Sequence, residues 1–363
     1  MSLDTLRTDT EDESTTSRAR TRIQAILPGR RTVEHVGLAV TGLIAFLMVG
    51  FILLYWLRDY QYGTVLYEQF LVGGQWMDFY LGTNVFKHPF MWQSLATGVL
   101  IGIAAPVIGV FLVHREMALI GETLAHTAFA GVAVGVLFSA LAGWRGSLLL
   151  IALVVGIIGA LGVQWLAERT NTYGDVPIAI MLSGSFAIGT LLISYGRGMM
   201  TIAIDIESYL FGSIAFVTPE GAQLMAIITI VVVAVVASSY KQLLFITFDE
   251  QAARVAQLNV NRYNTLLIVL TAVVVVGAMQ ILGVILVAAM LVVPVAAASQ
   301  VANSFRETLY LSILFGELSI LAGFGVSIQQ GLPSGGSIVV VAIAIYLLAI
   351  FVSNRSVPSI SIH

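Results

Sequence analysis

The apolar positions of this chain fall in runs of about twenty residues, separated by short polar or Gly-rich punctuation. A run of that length crosses about 30 Å of hydrocarbon as an α-helix. Ten such runs are predicted as spans: residues 36–57, 93–113, 118–142, 146–167, 176–195, 221–240, 263–278, 281–302, 308–328 and 337–352. The seventh and eighth are the least sharply bounded, because the stretch 263–302 can be divided in several places and its first part is short for the bilayer. Pro106 and Pro294 fall inside the second and eighth spans, where kinks are expected. Closely spaced glycines such as Gly131 with Gly135 and Gly156 with Gly159 predict near approach of helix backbones.

Between the first two spans, residues 58–92 are rich in Tyr, Trp, Phe and Gly. Such rings favour the membrane–water boundary, so an extracytoplasmic excursion lying against the bilayer is predicted, with a docking surface as the alternative. Residues 1–34 are polar, acidic first and basic later, and cannot form a core. Arg30 and Arg31 precede an apolar run that is too long for an export signal. The chain therefore divides into a disordered cytoplasmic tail (1–34), a first span with its aromatic segment (35–92), a helical membrane domain (93–352) and a short cytoplasmic tail (353–363).

Composition narrows the class. Of 363 residues 58% are hydrophobic and only 10% charged, which places the chain among all-α polytopic membrane proteins. A net charge of -3 without a basic face argues against nucleic acid as a partner. Cysteine is absent, so a metal would have to be held by oxygen and nitrogen. An even number of spans puts both ends on one side. Taking that side as cytoplasmic leaves only Arg58, Lys87, Arg145 and Arg197 of the 17 Lys and Arg residues outside, in keeping with the positive-inside rule.

The chemistry that stands out is the segment from Met117 to Gly131, M-A-L-I-G-E-T-L-A-H-T-A-F-A-G, inside a span. Glu122 and His126 are four residues apart and so project from one helix face. A carboxylate in hydrocarbon costs roughly 2.5–3.5 kcal/mol on insertion scales, so Glu122 must face protein, water or a ligand. Two readings are open: a buried Glu–His hydrogen bond that joins helices, or two ligands for a borderline divalent cation. By helical rise His126 lies about 16 Å from Arg115, near mid-bilayer if Arg115 marks the boundary.

Other polar positions have weaker claims. Asp205 and Glu207 stand in a partly re-entrant stretch, where attracting a cation at the outer mouth, pairing with a docking protein and simple solvation as loop acids are all open. Thr247 to Glu250 has the S/T-x-x-E form of a capping box, predicting a short surface helix over 250–258 on the cytoplasmic side. For Gln280, at the boundary of the seventh and eighth spans, and Glu317, in the ninth, interhelical hydrogen bonds are the expectation and path-lining roles the alternative. No phosphate-binding G-x-x-x-x-G-K-[ST] loop occurs, so ATP hydrolysis would have to come from another subunit. No H-E-x-x-H occurs, which argues against a membrane metalloprotease.

In order along the chain, G-E-T-L-A-H-T-A-F-A-G from Gly121, S-Y-L-F-G-S from Ser208, F-D-E-Q-A-A-R-V-A from Phe248, G-V-I-L-V-A-A-M-L-V-V-P-V-A-A-A from Gly283 and L-P-S-G-G-S-I-V from Leu332 resemble the ABC-3 family of metal-transporter permeases. The resemblance covers roughly 93–352. It implies about ten transmembrane helices in a fold similar to type II ABC importer permeases, in a prokaryotic cell membrane. It also implies a homodimer working with a cytoplasmic ABC ATPase dimer and an extracytoplasmic metal-binding lipoprotein, carrying Zn(II) or Mn(II) as cargo with no permanently bound cofactor. On the family motif the metal-coordinating positions fall on Glu122 and His126, and the ATPase-coupling positions on Asp249, Glu250, Ala253 and Arg254. Two departures stand out: Glu122 occupies a position where many members have Asp, and Gln257 one where Gly is usual, so the bend of the coupling segment is expected to differ. The alternatives are a type II permease for a chelated metal or cobalamin-like cofactor, and a cation channel or carrier that needs no ATPase.

Overall fold

A computed structural model of the chain describes residues 30–142, 148–169, 176–196, 210–213, 217–284 and 286–353. By compactness the chain divides into Met1–Gly42, of which only the start of the first helix is described, and Leu43–His363. The described elements are α-helices: α1 (Arg30–Leu57), α2 (Gln61–Leu81), α3 (Pro89–His114), α4 (Ala118–Ala142), α5 (Leu148–Arg169), α6 (Val176–Gly196), α7 (Pro219–Phe248), α8 (Glu250–Val255), α9 (Val260–Leu282), α10 (Val287–Val301), α11 (Phe305–Gln330) and α12 (Ser334–Val352). Among the described residues nine helices are long and apolar enough to cross a membrane, and the shorter α10 adds an apolar segment of 15 residues. At 1.5 Å per residue α10 is about 22 Å long.

The most enclosed span is α3, with 89% of its apolar window buried. It packs against α7, α9, α10 and α11, and α4 packs against α5 and α6. Small residues set these distances. A Cβ on Gly131 would lie 2.9 Å from the Ala152 Cα, one on Gly159 would strike the Thr127 side chain, and one on Gly109 would strike the Leu291 carbonyl. Both α3 and α10 run through their prolines, Pro106 and Pro294.

The aromatic segment 58–92 contains a helix, α2, followed by a turn built around one carboxylate. Asp78 Oδ1 accepts from the Thr83 hydroxyl (2.8 Å) and from the Val85 and Phe86 amides (2.9 Å each), while Oδ2 accepts from the Lys87 amide at 2.7 Å. Burial pushes the Asp78 carboxyl up, but these four donors outweigh it and lower it to about 2. The clasp orients Phe86, whose carbonyl accepts from Trp92 Nε1 at 2.6 Å. Phe51, Phe70 and Trp92 complete an aromatic cluster that ties α1, α2 and α3 together. The opposite face of α2 leaves Trp76, Phe79 and Tyr80 exposed.

The interruption between the seventh and eighth predicted spans falls at 283–286, not at 279–280. Gly283 and Gly212 both take left-handed φ values of 76°. A Cβ at Gly283 would lie 2.5 Å from the Gly212 amide nitrogen, and one at Gly335 would lie 2.6 Å from the Phe211 carbonyl oxygen and closer still to that of Leu282. Ser334 Oγ donates to the Ile281 carbonyl at 2.8 Å. Three separate sequence motifs thus meet backbone to backbone at the end of the bundle opposite α8.

Candidate metal site

Helix α4 occupies the predicted boundaries 118–142 and is held by hydroxyls on its α6-facing side. Thr127 Oγ1 lies 3.1 Å from Ser185 Oγ, and Thr123 Oγ1 donates to its own helix at Leu119 and reaches the Ile178 carbonyl at 3.3 Å. These contacts fix the rotation of α4 and leave Glu122 exposed and His126 half-buried on one face. The His126 ring stands edge-on to Phe186, with centroids 5.0 Å apart, and Phe186 in turn stacks on Phe129. His126 Nδ1 is buried without a hydrogen-bond partner.

No hydrogen bond joins Glu122 to His126, and Glu122 is not enclosed. The buried helix-joining pair, one of the two readings open from spacing, does not form here, because the hydroxyl contacts turn Glu122 outward. Among the described residues no cluster of three or more His, Asp or Glu side chains is assembled that could hold a metal ion. Glu317 does not join the pair. It is 2% exposed in α11 beside Gly102 of α3, and neither carboxyl oxygen has a partner, contrary to the expected interhelical hydrogen bond. Asp205 and Glu207 lie outside the described residues, as does the side chain of Gln280.

The second candidate region is the corner formed by α7, α8 and α9. The helix start is capped by Asp249, whose Oδ1 accepts from the Ala252 amide at 2.8 Å, and not by Thr247, whose hydroxyl donates back to the Leu243 carbonyl at 2.7 Å within α7. Helix α8 starts at Glu250 as predicted but ends at Val255, short of the predicted 258. Ala253 is fully buried against Ile246 and Val260, while Phe248 and Val255 project outward. The turn after α8 has the Schellman pattern: Leu258 N–H bonds to Ala253 O at 3.0 Å and Gln257 N–H to Arg254 O at 3.1 Å. Gln257 takes φ of 62°, so the bend that suits glycine is made here by a residue with a side chain.

Glu250 receives Arg254 at 2.7 Å and lies 3.7 Å from Arg115 Nη2. Arg115, the first of the three residues between α3 and α4, also donates from Nη2 to Asn264 Oδ1 at 2.7 Å. Burial lowers the Arg115 guanidinium from its ordinary range and the Glu250 carboxylate opposes that shift. An open cavity of about 430 Å³ lies between Arg115, Gln164, Glu250, Arg254 and Asn264. From the sequence Arg115 is a cytoplasmic-side charge and a depth marker, with no partner assigned, and Asn264 is missed. The available signal was an arginine ending one span and an asparagine opening another.

With this helix order and these two regions in place, comparison with known proteins decides the family. Residues 87–353 match the model of the ABC 3 transport family. The chain belongs to the ABC 3 transport family. In this ABC 3 chain, α3 to α12 lie within the matched region, and α1 and α2 precede it. Among its relatives, the manganese transport system membrane protein MntC of Halalkalibacterium halodurans is 32% identical over 75% of this chain and 90% of its own length. The manganese import system permease protein ScaB of Streptococcus gordonii is 29% identical over 73% of this chain and 92% of its own. The solved structure of PsaBC from Streptococcus pneumoniae in complex with Fab is 30% identical, with a TM-score of 0.65, covering 74% of this ABC 3 chain and 94% of the solved one.

Proposed function

We propose that this chain is the membrane permease subunit of an ATP-driven importer of divalent transition metal ions, with Mn(II) as the cargo and Zn(II) as its competitor. One observation carries the reading: at spanning depth an exposed carboxylate, Glu122, sits one turn from an imidazole, His126, whose Nδ1 has no partner. A carboxylate cannot be left facing lipid, so this face of α4 lines a passage closed off by water and by a second copy of the chain. Oxygen and nitrogen donors suit Mn(II), and two protein ligands leave coordination positions for water. That incompleteness lets the ion leave, whereas a full cage would retain it. The manganese named in the two curated relatives supports the choice of cargo.

In this reading residues 93–352 form the permease domain, both termini are cytoplasmic, an extracytoplasmic binding protein delivers the ion, and a cytoplasmic ABC ATPase dimer engages Asp249, Glu250, Ala253 and Arg254 on α8. Asp205 and Glu207 attract the cation at the outer mouth. Uptake of Mn(II) by cells carrying the complete transporter, with Glu122→Ala and His126→Ala compared at equal membrane abundance, tests the assignment. Each variant is expected to lose uptake at least tenfold, with Zn(II) competing in the parent. Normal uptake by either variant overturns the ligand roles, and Mn(II) flux through liposomes holding the chain alone overturns the need for an ATPase.

A further inference from the structure

A single buried guanidinium connects the α8 corner to the metal-bearing helix. Arg115 has a side chain only 8% exposed, and its Nη2 bonds Asn264 at the start of α9 while facing Glu250 of α8. Glu250 is shared: it is held at 2.7 Å by Arg254, which is largely solvent-exposed, and stands 3.7 Å from Arg115, which is not. Arg115 Nη1 is buried with no partner, so the guanidinium has an unused donor for a carboxylate that moves closer. Withdrawing Glu250 altogether would leave a buried charge less compensated, so α8 cannot shift freely of Arg115.

What lies beyond Arg115 is stiff. Glu116 N–H bonds to Val113 O at 3.1 Å and Met117 N–H to Leu112 O at 2.9 Å, a Schellman turn with Glu116 at φ of 58°, and Ile120 N–H bonds Met117 O at 3.1 Å. No slack residue separates Arg115 from the start of α4, and Glu122 stands in the second turn of that helix. A displacement passed from the guanidinium to the Arg115 backbone would therefore reach the helix that carries Glu122 and His126.

We propose that Arg115 is a positioning residue, and that exchange of Glu250 between Arg254 and Arg115 transmits the movement of α8 to the metal ligands on α4. The proposal rests on the import reading above. It predicts that Arg115 sets the rate at which bound ion is passed on, and not the affinity with which it is first bound.

The test uses the complete transporter, full chain with its ATPase subunits and binding protein, reconstituted in vesicles and supplied with Mn(II). Arg115→Gln and Glu250→Gln are each expected to lower maximal uptake about tenfold with half-saturating Mn(II) unchanged within twofold, while in the Arg115 variant the partner's ATP hydrolysis persists. The double variant is expected to fall no further than the worse single one, because both substitutions break one step. If Arg115→Gln fails to accumulate, Arg115→Lys, which retains the charge but not the fork, is read on the same axes with an expected intermediate rate. The proposal is overturned if the arginine variant transports within twofold of the parent, if its defect lies in half-saturation, or if the losses multiply in the double variant. Normal Mn(II) uptake by Glu122→Ala in the same vesicles would instead remove the ligand role of Glu122, and a parent transporter that takes up no Mn(II) on addition of ATP would remove the import reading, so the failures are distinguishable.

Discussion

Gly335 and Gly336 are neighbours in the first turn of α12 and should respond to the same substitution with opposite signs. Replacing a helical glycine by alanine gains up to about 1 kcal/mol in propensity. At Gly336 the new methyl would meet nothing within 4 Å, so that gain is retained. At Gly335 it would lie 2.6 Å from the Phe211 carbonyl oxygen and nearer still to that of Leu282, whereas ordinary contact begins at 3.4 Å. The helix must retreat by at least about 0.8 Å, and overpacking of this kind costs about 1–3 kcal/mol. The retreat also stretches the Ser334 to Ile281 hydrogen bond, 2.8 Å in the native packing, a loss of about 1 kcal/mol. Net of propensity, Gly335→Ala should lose about 1–3 kcal/mol and Gly336→Ala gain up to about 1 kcal/mol. Thermal unfolding of the purified full chain in one detergent, followed by tryptophan fluorescence, should show midpoints displaced in opposite directions by a few degrees. A Gly335→Ala midpoint at or above the parent, or equal shifts for both variants, would refute the tight three-way junction.

Two further outcomes follow from local geometry. With its carboxyl lowered to about 2, Asp78 stabilises the 82–88 turn fully above the unfolded value near 4, and that contribution is lost as pH falls toward 2; amide exchange at Val85, Phe86 and Lys87 should accelerate over that window. Asp78→Asn should raise exchange at neutral pH and flatten its pH dependence, and an unchanged profile would show the clasp to be idle. Gln257 is exposed and left-handed, a conformation that costs a side chain about 1–2 kcal/mol, of which glycine returns about 0.5–1 as unfolded-chain entropy. Gln257→Gly should therefore raise the thermal midpoint slightly and Gln257→Val lower it, and a reversed order would count against the strained turn.

Hydropathy and length were sufficient to locate the spans, and α4 has the boundaries read from its apolar run, because polar residues flank it on both sides. The stretch 263–302 has no such punctuation. Its true interruption depends on Gly283 meeting Gly212, a partner about seventy residues away that no local pattern reveals. The Thr247 and Asp249 signals overlap at one helix start, and the choice falls to Asp249 because the Thr247 hydroxyl is already satisfied within α7. Helicity in α2 was hidden by its glycines and aromatics, which score poorly as helix formers. The pairing of Glu122 with His126 was legible from spacing alone, but the outward turn of Glu122 was not, since it is set by Thr123 and Thr127 against α6. Arg115 could be seen as a charge at a span end. Its engagement with Glu250 and Asn264 required the corner to be folded.

The meeting of 210–213, 281–283 and 334–335 also bears on how the protein is made. Its three sides leave the ribosome far apart in time, and domains form from the amino terminus onward during synthesis. Until Ser334 and Gly335 have emerged, the Ile281 carbonyl lacks its hydroxyl donor and the far end of the bundle stays open on one flank. Helix α12 is thus the one that latches that end, so a nascent chain halted before residue 334 would leave it unsealed.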